Sequence, residues 1–396
     1  MKKRWSILLL VILGTHSCSA GVSTVHPLPP EISIPAASPD DVSNAESAAG
    51  YFSLVDSGQR LGAARSWDVA LGDFDGDGDL DAIVANMGIA AMGSAIWIND
   101  GTGIFTASSQ NLGYGAGLDV GDLDMDGDLD VLIVSWEGAG QVWLNDGGVF
   151  QGSGQVLGVA GGFDVALGDV DDDGDLDAWI AHELEDTVWL NDGTGLFRDS
   201  GQRLGTTYTA AAELADVDGD GDLDALSAGW DEPGRVWLND GTGSFSDSGQ
   251  TLTSEDIHIH GMIMGDVTGN GLPDVVMTGS PNELWLNEGG VFLASNQRLT
   301  VWACDTAGLG DMDMDGDLDL YLAVGATSRV ADEFWLNDGQ GVFSERELNL
   351  SEMFSSGIGL GDLDGDGDLD AFVVHGELWR EGGGGIPNEV WLNTLR

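Results

Sequence analysis

Seven times the chain writes one acidic loop, at a period of 45 to 51 residues. Two clear copies are Asp73-Phe74-Asp75-Gly76-Asp77-Gly78-Asp79-Leu80-Asp81 and Asp362-Leu363-Asp364-Gly365-Asp366-Gly367-Asp368-Leu369-Asp370. The others begin at Asp122, Asp169, Asp216, Asp266 and Asp311. Carboxylates at alternate positions, with a glycine at the sixth where the backbone turns sharply, make an oxygen cage for a hard cation. A repeat of this length is a supersecondary unit that buries its apolar surface only against a neighbouring copy, so the chain must be a stacked or circular array.

Each unit reads as four short antiparallel strands. In the third, the apolar run Phe163 to Gly168 enters the acidic loop, and Leu176 to Ala181 leaves it. Val188-Trp189-Leu190-Asn191 is the third strand, Asp192-Gly193-Thr194-Gly195 a hairpin, and Leu196 opens a fourth strand expected to run to Leu204. The tryptophan strand recurs at Trp97, Trp143, Trp189, Trp237, Trp285, Trp335 and Trp391. Strand alternation leaves both faces of the unit apolar, so each sheet needs a neighbour on either side. A linear solenoid or a ring of blades would supply them, and the chain ends decide between the two. The seventh unit stops at Trp391-Leu392-Asn393 without a fourth strand, whereas Asp56 to Leu61 repeats Asp199 to Leu204 residue for residue. The expected fold is all-β: a seven-bladed propeller of four-stranded antiparallel blades, closed by the N-terminal strand completing the last blade.

The D-x-D-x-D-G-x-x-D loops and W-L-N-D-G-x-G-x-F hairpins, such as Trp237 to Phe245, resemble FG-GAP and VCBS-type repeats. They are also similar to the calcium-binding blades of the integrin α-subunit propeller. The resemblance spans about residues 51–393. It implies a seven-bladed propeller with calcium in the loop between the first two strands of a blade. It does not fix a ligand, because such repeats occur in adhesion modules, lectin-like binders and accessory domains beside enzymes.

For the first loop, side-chain ligation is expected from Asp73, Asp75, Asp77 and Asp81 and a backbone carbonyl from Asp79, whose side chain would be a solvated acid. The same offsets select Asp122, Asp124, Asp126, Asp128 and Asp130, then Asp169, Asp171, Asp173, Asp175 and Asp177. They select Asp216, Asp218, Asp220, Asp222 and Asp224, then Asp311, Asp313, Asp315, Asp317 and Asp319, and finally Asp362, Asp364, Asp366, Asp368 and Asp370. The fifth loop, with Asp266, Thr268, Asn270, Leu272 and Asp274, keeps two carboxylates and is expected to be the weakest or an empty site. An EF-hand is excluded: the twelfth positions, Val84, Ile133, Ile180, Ser227, Met277, Leu322 and Val373, are not acidic.

A net charge of −55, with 68 acids against 13 bases, opposes nucleic acid and anionic lipid as partners. About half of the acids lie in the loops. Lys2-Lys3-Arg4 before the apolar run Trp5 to Leu13 reads as a secretory signal over residues 1–20. Cleavage after Ala20 and lipidation of Cys18 are both open, and both imply export, to the outer surface, the periplasm or beyond. Residues 21–50 hold five of the nine prolines and read as a tether. Residues 51–396 are the propeller, expected to be a monomer without a transmembrane segment. The stretches that differ most between units hold Trp136, His182, Trp230, His258, His260, Trp302, His375 and Trp379. Tryptophan beside acids suits a carbohydrate or protein ligand at the rim opposite the acidic loops. The expected function is a secreted or surface calcium-binding adhesion module. The alternative is an extracellular lyase or hydrolase of polysaccharides using the same rim, although no catalytic motif is present.

Overall fold

The computed structural model describes residues 52–395 except 88–92, 206–207, 231–232, 253–257, 301, 326–329 and 377–384. The leader and tether expected over residues 1–50 lie outside the described residues, as does Trp379.

Seven four-stranded antiparallel sheets follow one another along the chain. Blade 1 comprises Ser66–Gly72, Asp81–Asn86, Ala95–Asn99 and Phe105–Asn111. Blades 2 to 6 repeat this order over residues 117–152, 162–199, 211–252, 258–294 and 304–346. Blade 7 takes Ser355–Gly361, Asp370–His375 and Glu389–Asn393, and its outer strand is Leu54–Asp56 from the other end of the chain. Leu54 pairs with Asn393 and Asp56 with Trp391. Arg60 reinforces the seam, its guanidinium 2.8 Å from Asp56 and 3.2 Å from Glu389. Among the described residues no helix is long and apolar enough to cross a membrane.

The period-2 alternation read from the sequence is what joins the blades. Ile83 and Ile96 of blade 1 pack with Leu118, Val131, Ile133 and Phe150 of blade 2. Their strand neighbours Ala82 and Val84 turn the other way, onto Phe372, Val374 and Val390 of blade 7. Among the described residues there are seven buried clusters of this kind, each shared by two consecutive blades, the last joining blade 7 to blade 1. Each fully buried aliphatic side chain contributes about 1.5–3 kcal/mol. Stability therefore resides between blades, and no single blade could hold its shape alone. Burial also grades outward. The first strand of blade 1 is buried at every position, whereas in its fourth only Phe105 is buried.

The fourth strand of blade 3 is shorter than expected. Only Arg198–Asp199 pair in the ladder, and Leu204 rejoins by an isolated bridge to Asp186. The Gly201 N–H donates to Asp199 Oδ1 at 2.8 Å, and Gly201 lies at φ +83°, so a side-chain turn lifts the chain off the ladder between them. The identical N-terminal segment does the same at Asp56 and Gly58, and Leu61 rejoins at Asn388.

Candidate metal centres

Each acidic loop joins the first two strands of its blade, and two of its carboxylates shape it. Asp73 Oδ1 accepts the N–H groups of Gly76 and Asp77 at 2.8 and 3.1 Å, and Oδ2 accepts that of Gly78 at 3.0 Å. The turn requires a left-handed residue at position six. The glycines there, Gly78, Gly127, Gly174, Gly221, Gly271, Gly316 and Gly367, lie between φ +89° and +102°. The ninth-position Asp81 is buried and ties the loop to the third strand, accepting from Phe74 N at 3.1 Å and from Asn99 N at 2.8 Å. Asp130, Asp177, Asp224, Asp274, Asp319 and Asp370 repeat this double contact.

The donor set fits a cation. Carboxylate oxygens come within 4.8 Å of one another in the groups Asp73/Asp75/Asp81, Asp122/Asp124/Asp130, Asp169/Asp171/Asp177, Asp216/Asp218/Asp224 and Asp311/Asp313/Asp315, and in one further group. Asp171 Oδ1 and Asp311 Oδ1 are buried carboxylate oxygens with no hydrogen-bond partner among the described residues. Desolvation pushes the pKa of Asp81, Asp130 and Asp224 up to about 6 and that of Asp177, Asp319 and Asp370 to about 7. Converging, partly desolvated acids repel one another unless a cation neutralises them. The ligands are all oxygen, as a hard divalent ion requires.

Seventh-position acids do more than offer a carbonyl. Asp128 Oδ2 accepts the hairpin N–H of Gly147 at 2.8 Å, and in blade 7, where no such hairpin exists, Asp368 Oδ2 accepts the N–H of Leu395 just after the last strand at 3.2 Å. A Cβ on Gly101 would sit 2.3 Å from Asp79 Oδ2, and one on Gly193 2.6 Å from Asp175 Oδ1. The expectation of a merely solvated acid is therefore corrected: this carboxylate rests on the hairpin, which is one reason the hairpin carries glycine. The fifth loop keeps its shape with neutral groups. Asn270 Nδ2 donates to Asn287 O at 2.8 Å, and its Oδ1 accepts from Leu272 N at 2.8 Å.

The asparagine two residues after each repeating tryptophan lies at the end of the third strand, as expected, and its side chain also joins two blades. Asn145 donates its amide N–H groups to Leu129 O in its own blade at 3.1 Å and to Phe74 O in blade 1 at 2.9 Å. Asn191, Asn239, Asn287, Asn337 and Asn393 likewise reach the loop of the preceding blade, at Leu123, Val170, Val217, Val267 and Met312. Asn99 reaches Leu363 O at 2.8 Å and closes the circle. The backbone N–H of the same asparagine is the one bound by the ninth-position acid. Each metal loop is thus one bond away from the joint to the next blade. A second set of staples runs outside: Gln59, Gln110, Gln155, Gln202, Gln250 and Gln297 each bond backbone groups of the next blade's hairpin. The signal for both sets was present, as amides at fixed offsets in the repeat.

The residues expected on the opposite rim separate into three environments. His260 and His375 are fully buried, His260 bonded to Asp305 at 3.0 Å and His375 facing Glu389 at 3.5 Å; they belong to the protein interior rather than an exposed surface. His182 is also buried, its ring 3.2 Å from Thr187 Oγ1. Trp136 and Trp230 are half-buried members of an aromatic arc crossing several blades: Trp67, Trp136, Phe163, Tyr208 and Trp230, with successive centroids 4.2 to 6.0 Å apart. His258 and Trp302 are exposed, His258 bonding Trp230 O at 2.7 Å and Trp302 at 42% exposure. Acids missed by the sequence reading line the inner strands. Asp68, Asp119 and Asp164 each accept an N–H from the next blade's inner strand, at Leu118, Leu167 and Ala212.

The FG-GAP-like repeat model matches at residues 73–133, 122–180, 169–227, 216–277 and 311–373. No curated protein matches. Among solved structures, an Agrocybe aegerita lectin that recognises non-reducing terminal N-acetylglucosamine is similar, with 21% identity over 78% of this chain and 86% of that one and a TM-score of 0.50. BBS1N in its complex with ARL6DN is similar at 11% identity over 87% of this chain and 98% of that one, with a TM-score of 0.59. At these identities the likeness is one of fold. With matched repeats over more than half its length, a propeller of seven blades and an acid-lined loop in each, the chain belongs to the FG-GAP-like repeat family.

Proposed function

We infer that this protein is a calcium-braced propeller, exported from the cell, that serves as a binding module for a carbohydrate or protein ligand. The observation carrying the metal half is the pair of buried, partnerless carboxylate oxygens, Asp171 Oδ1 and Asp311 Oδ1, inside acid groups that converge within 4.8 Å. Calcium suits loops with this many oxygens better than magnesium, which prefers to keep its waters. Bound there, the ion would offset the mutual repulsion of the acids and stiffen the asparagine joint between blades. The binding half is supported by the contrast between a uniform metal rim and an opposite rim whose loops differ from blade to blade, and by the fold shared with a sugar-recognising lectin. The Lys2-Lys3-Arg4 head and apolar stretch of the leader support export.

The test has two arms. Calorimetric titration of the metal-stripped protein should show several calcium sites, and magnesium should bind far more weakly. Immobilised glycans and extracellular-matrix proteins should retain the protein with calcium and lose it with chelator. A heat-denaturation curve identical with and without chelator would end the metal reading; absence of any retained partner would end the binding reading.

A further inference from the structure

At the seam where the ring closes, between blades 7 and 1, a cleft of about 180 Å³ opens away from the acidic loops. Its wall holds Trp97, five glycines and alanines, and uncharged polar side chains that include Ser66, Asn86, Ser94, Asn111 and Asn388. Among the described residues not one that lines it is charged, in a protein whose net charge is −55.

The cleft has a cause in one residue. Two positions before each repeating tryptophan, on the same strand face, the blades carry Ala95, Gln141, Thr187, Arg235, Glu283, Glu333 and Glu389. In blades 3, 5 and 6 that side chain takes the indole N–H: Thr187 Oγ1 at 3.0 Å from Trp189 Nε1, Glu283 Oε2 at 3.0 Å from Trp285 Nε1, and Glu333 Oε2 at 3.3 Å from Trp335 Nε1. Only blade 1 has alanine there, which neither fills the space nor caps the ring. Among the described residues the Trp97 indole N–H has no hydrogen-bond partner, and neither do those of Trp143 and Trp391, so what sets blade 1 apart is the space that Ala95 leaves. Gly62, at φ +69°, brings the chain against one part of the ring, where an added Cβ would lie 3.3 Å from the indole.

The polar wall is rigid and partly unspent. Ser66 Oγ and Asn86 Oδ1 are 2.9 Å apart, Asn86 Nδ2 donates to Gly93 O at 2.9 Å, and Asn388 Oδ1 accepts from His375 N at 3.1 Å. Asn388 is only 3% exposed, yet its Nδ2 makes no hydrogen bond among the described residues; Asn111 is exposed, and its Nδ2 also has no protein partner among them. An aromatic face, an indole donor, two spare amide donors and serine oxygens, without charge, match a six-membered ring bearing hydroxyl or amide groups. The volume agrees, since an engineered cavity of about 150 Å³ holds a single benzene ring.

We propose that this cleft is a site for one neutral pyranose residue, stacked on Trp97 and held by Asn111 and Asn388. The proposal rests on the carbohydrate-binding reading above and places it at a single seam. It predicts one such subsite, selective against acidic sugars because the surrounding field repels anions.

Saturation-transfer NMR on the calcium-loaded protein, with methyl glycosides of glucose, galactose, mannose and N-acetylglucosamine, tests it against methyl glucuronide. At least one neutral glycoside should bind at millimolar strength, and the glucuronide at least roughly tenfold more weakly. Ala95→Glu, which installs the cap seen in blades 5 and 6, should weaken binding roughly tenfold or more while the melting temperature holds. Trp97→Phe identifies the indole N–H resonance that should shift with ligand. If Ala95→Glu binds as well as the wild type, or the Trp97 resonance never moves, the seam site is wrong while the broader binding reading stands. If none of the four neutral glycosides binds the wild type, the proposal is overturned, and the glycan and protein array decides the broader reading by itself.

Discussion

The two rims of this propeller are built on opposite plans. On one, the loop at Asp73 is written seven times with little change, and each copy makes the same bonds to its own hairpin and, through asparagine, to the preceding blade. On the other, the chain changes from blade to blade: an aromatic arc over blades 1 to 4, a buried His260–Asp305 pair between blades 5 and 6, and an open cleft at the closing seam. Uniformity is what a ring demands of its joints, because an array held only by nearest-neighbour contacts is as strong as its weakest interface. Variation is what recognition demands. A rim that owes its stability to the other side is free to differ.

That contrast can be broken by experiment, beginning with the metal. Chelation should destabilise the whole molecule, because each site with ligand at a hundredfold excess over Kd contributes about 2.7 kcal/mol, and several act together. Scanning calorimetry with and without chelator measures this, and a shift no larger than that of a loop variant on the opposite rim would erase the distinction. Next comes Asn145→Ala, which strands the carbonyls of Phe74 and Leu129 and removes the acceptor for Gly148 N. A loss of about 2–4 kcal/mol in chemical denaturation is expected.

The fifth loop sharpens the comparison from within the metal rim. Thr268→Asp with Asn270→Asp restores the carboxylates that its neighbours have, and should convert the weakest site into one of ordinary calcium affinity, read as a tighter or additional step in titration. An unchanged isotherm would mean that ligand charge is not what sets affinity here.

A smaller effect comes from the inner acids. Desolvation raises Asp119 and Asp164 to about 7, and Glu213, near both and near Asp68, is raised by burial and by their charges. An acid whose folded pKa lies above its unfolded value stabilises most when protonated, below about pH 4, and that contribution is lost as pH rises through the folded value, which is near 7 for Asp119 and Asp164. In saturating calcium, Glu213→Gln should therefore raise the melting temperature at pH 8 and leave it almost unmoved at pH 4. The reverse order would show that the inner acids stabilise the ring as anions. The smallest change is expected from Trp302→Ala on the variable rim, within about 0.5 kcal/mol of wild type because its side chain is exposed. A larger loss there would give that rim a structural share it is not expected to have.

How much of this could be read beforehand divides along the same line. The loops, the tryptophan strands and the duplicated segment Asp56 to Leu61 are local and repeated, so their period alone specified blade number and closure. The convergence of Asp73, Asp75 and Asp81 also followed from spacing. The burial of His182, His260 and His375 did not, because a histidine beside glutamate reads alike whether it faces water or a neighbouring blade. Nor did the role of Asn99, whose partner Leu363 lies 264 residues away.

By itself, then, the sequence determined a ring of seven metal-loop blades, because each instruction is contained within one repeat and its neighbour. Only the tertiary structure decided which polar side chains are spent inside and which remain available. That choice depends on how side chains from separate blades fill the space between them, as when Ala95 leaves a cleft beside Trp97 at the seam where the ring closes.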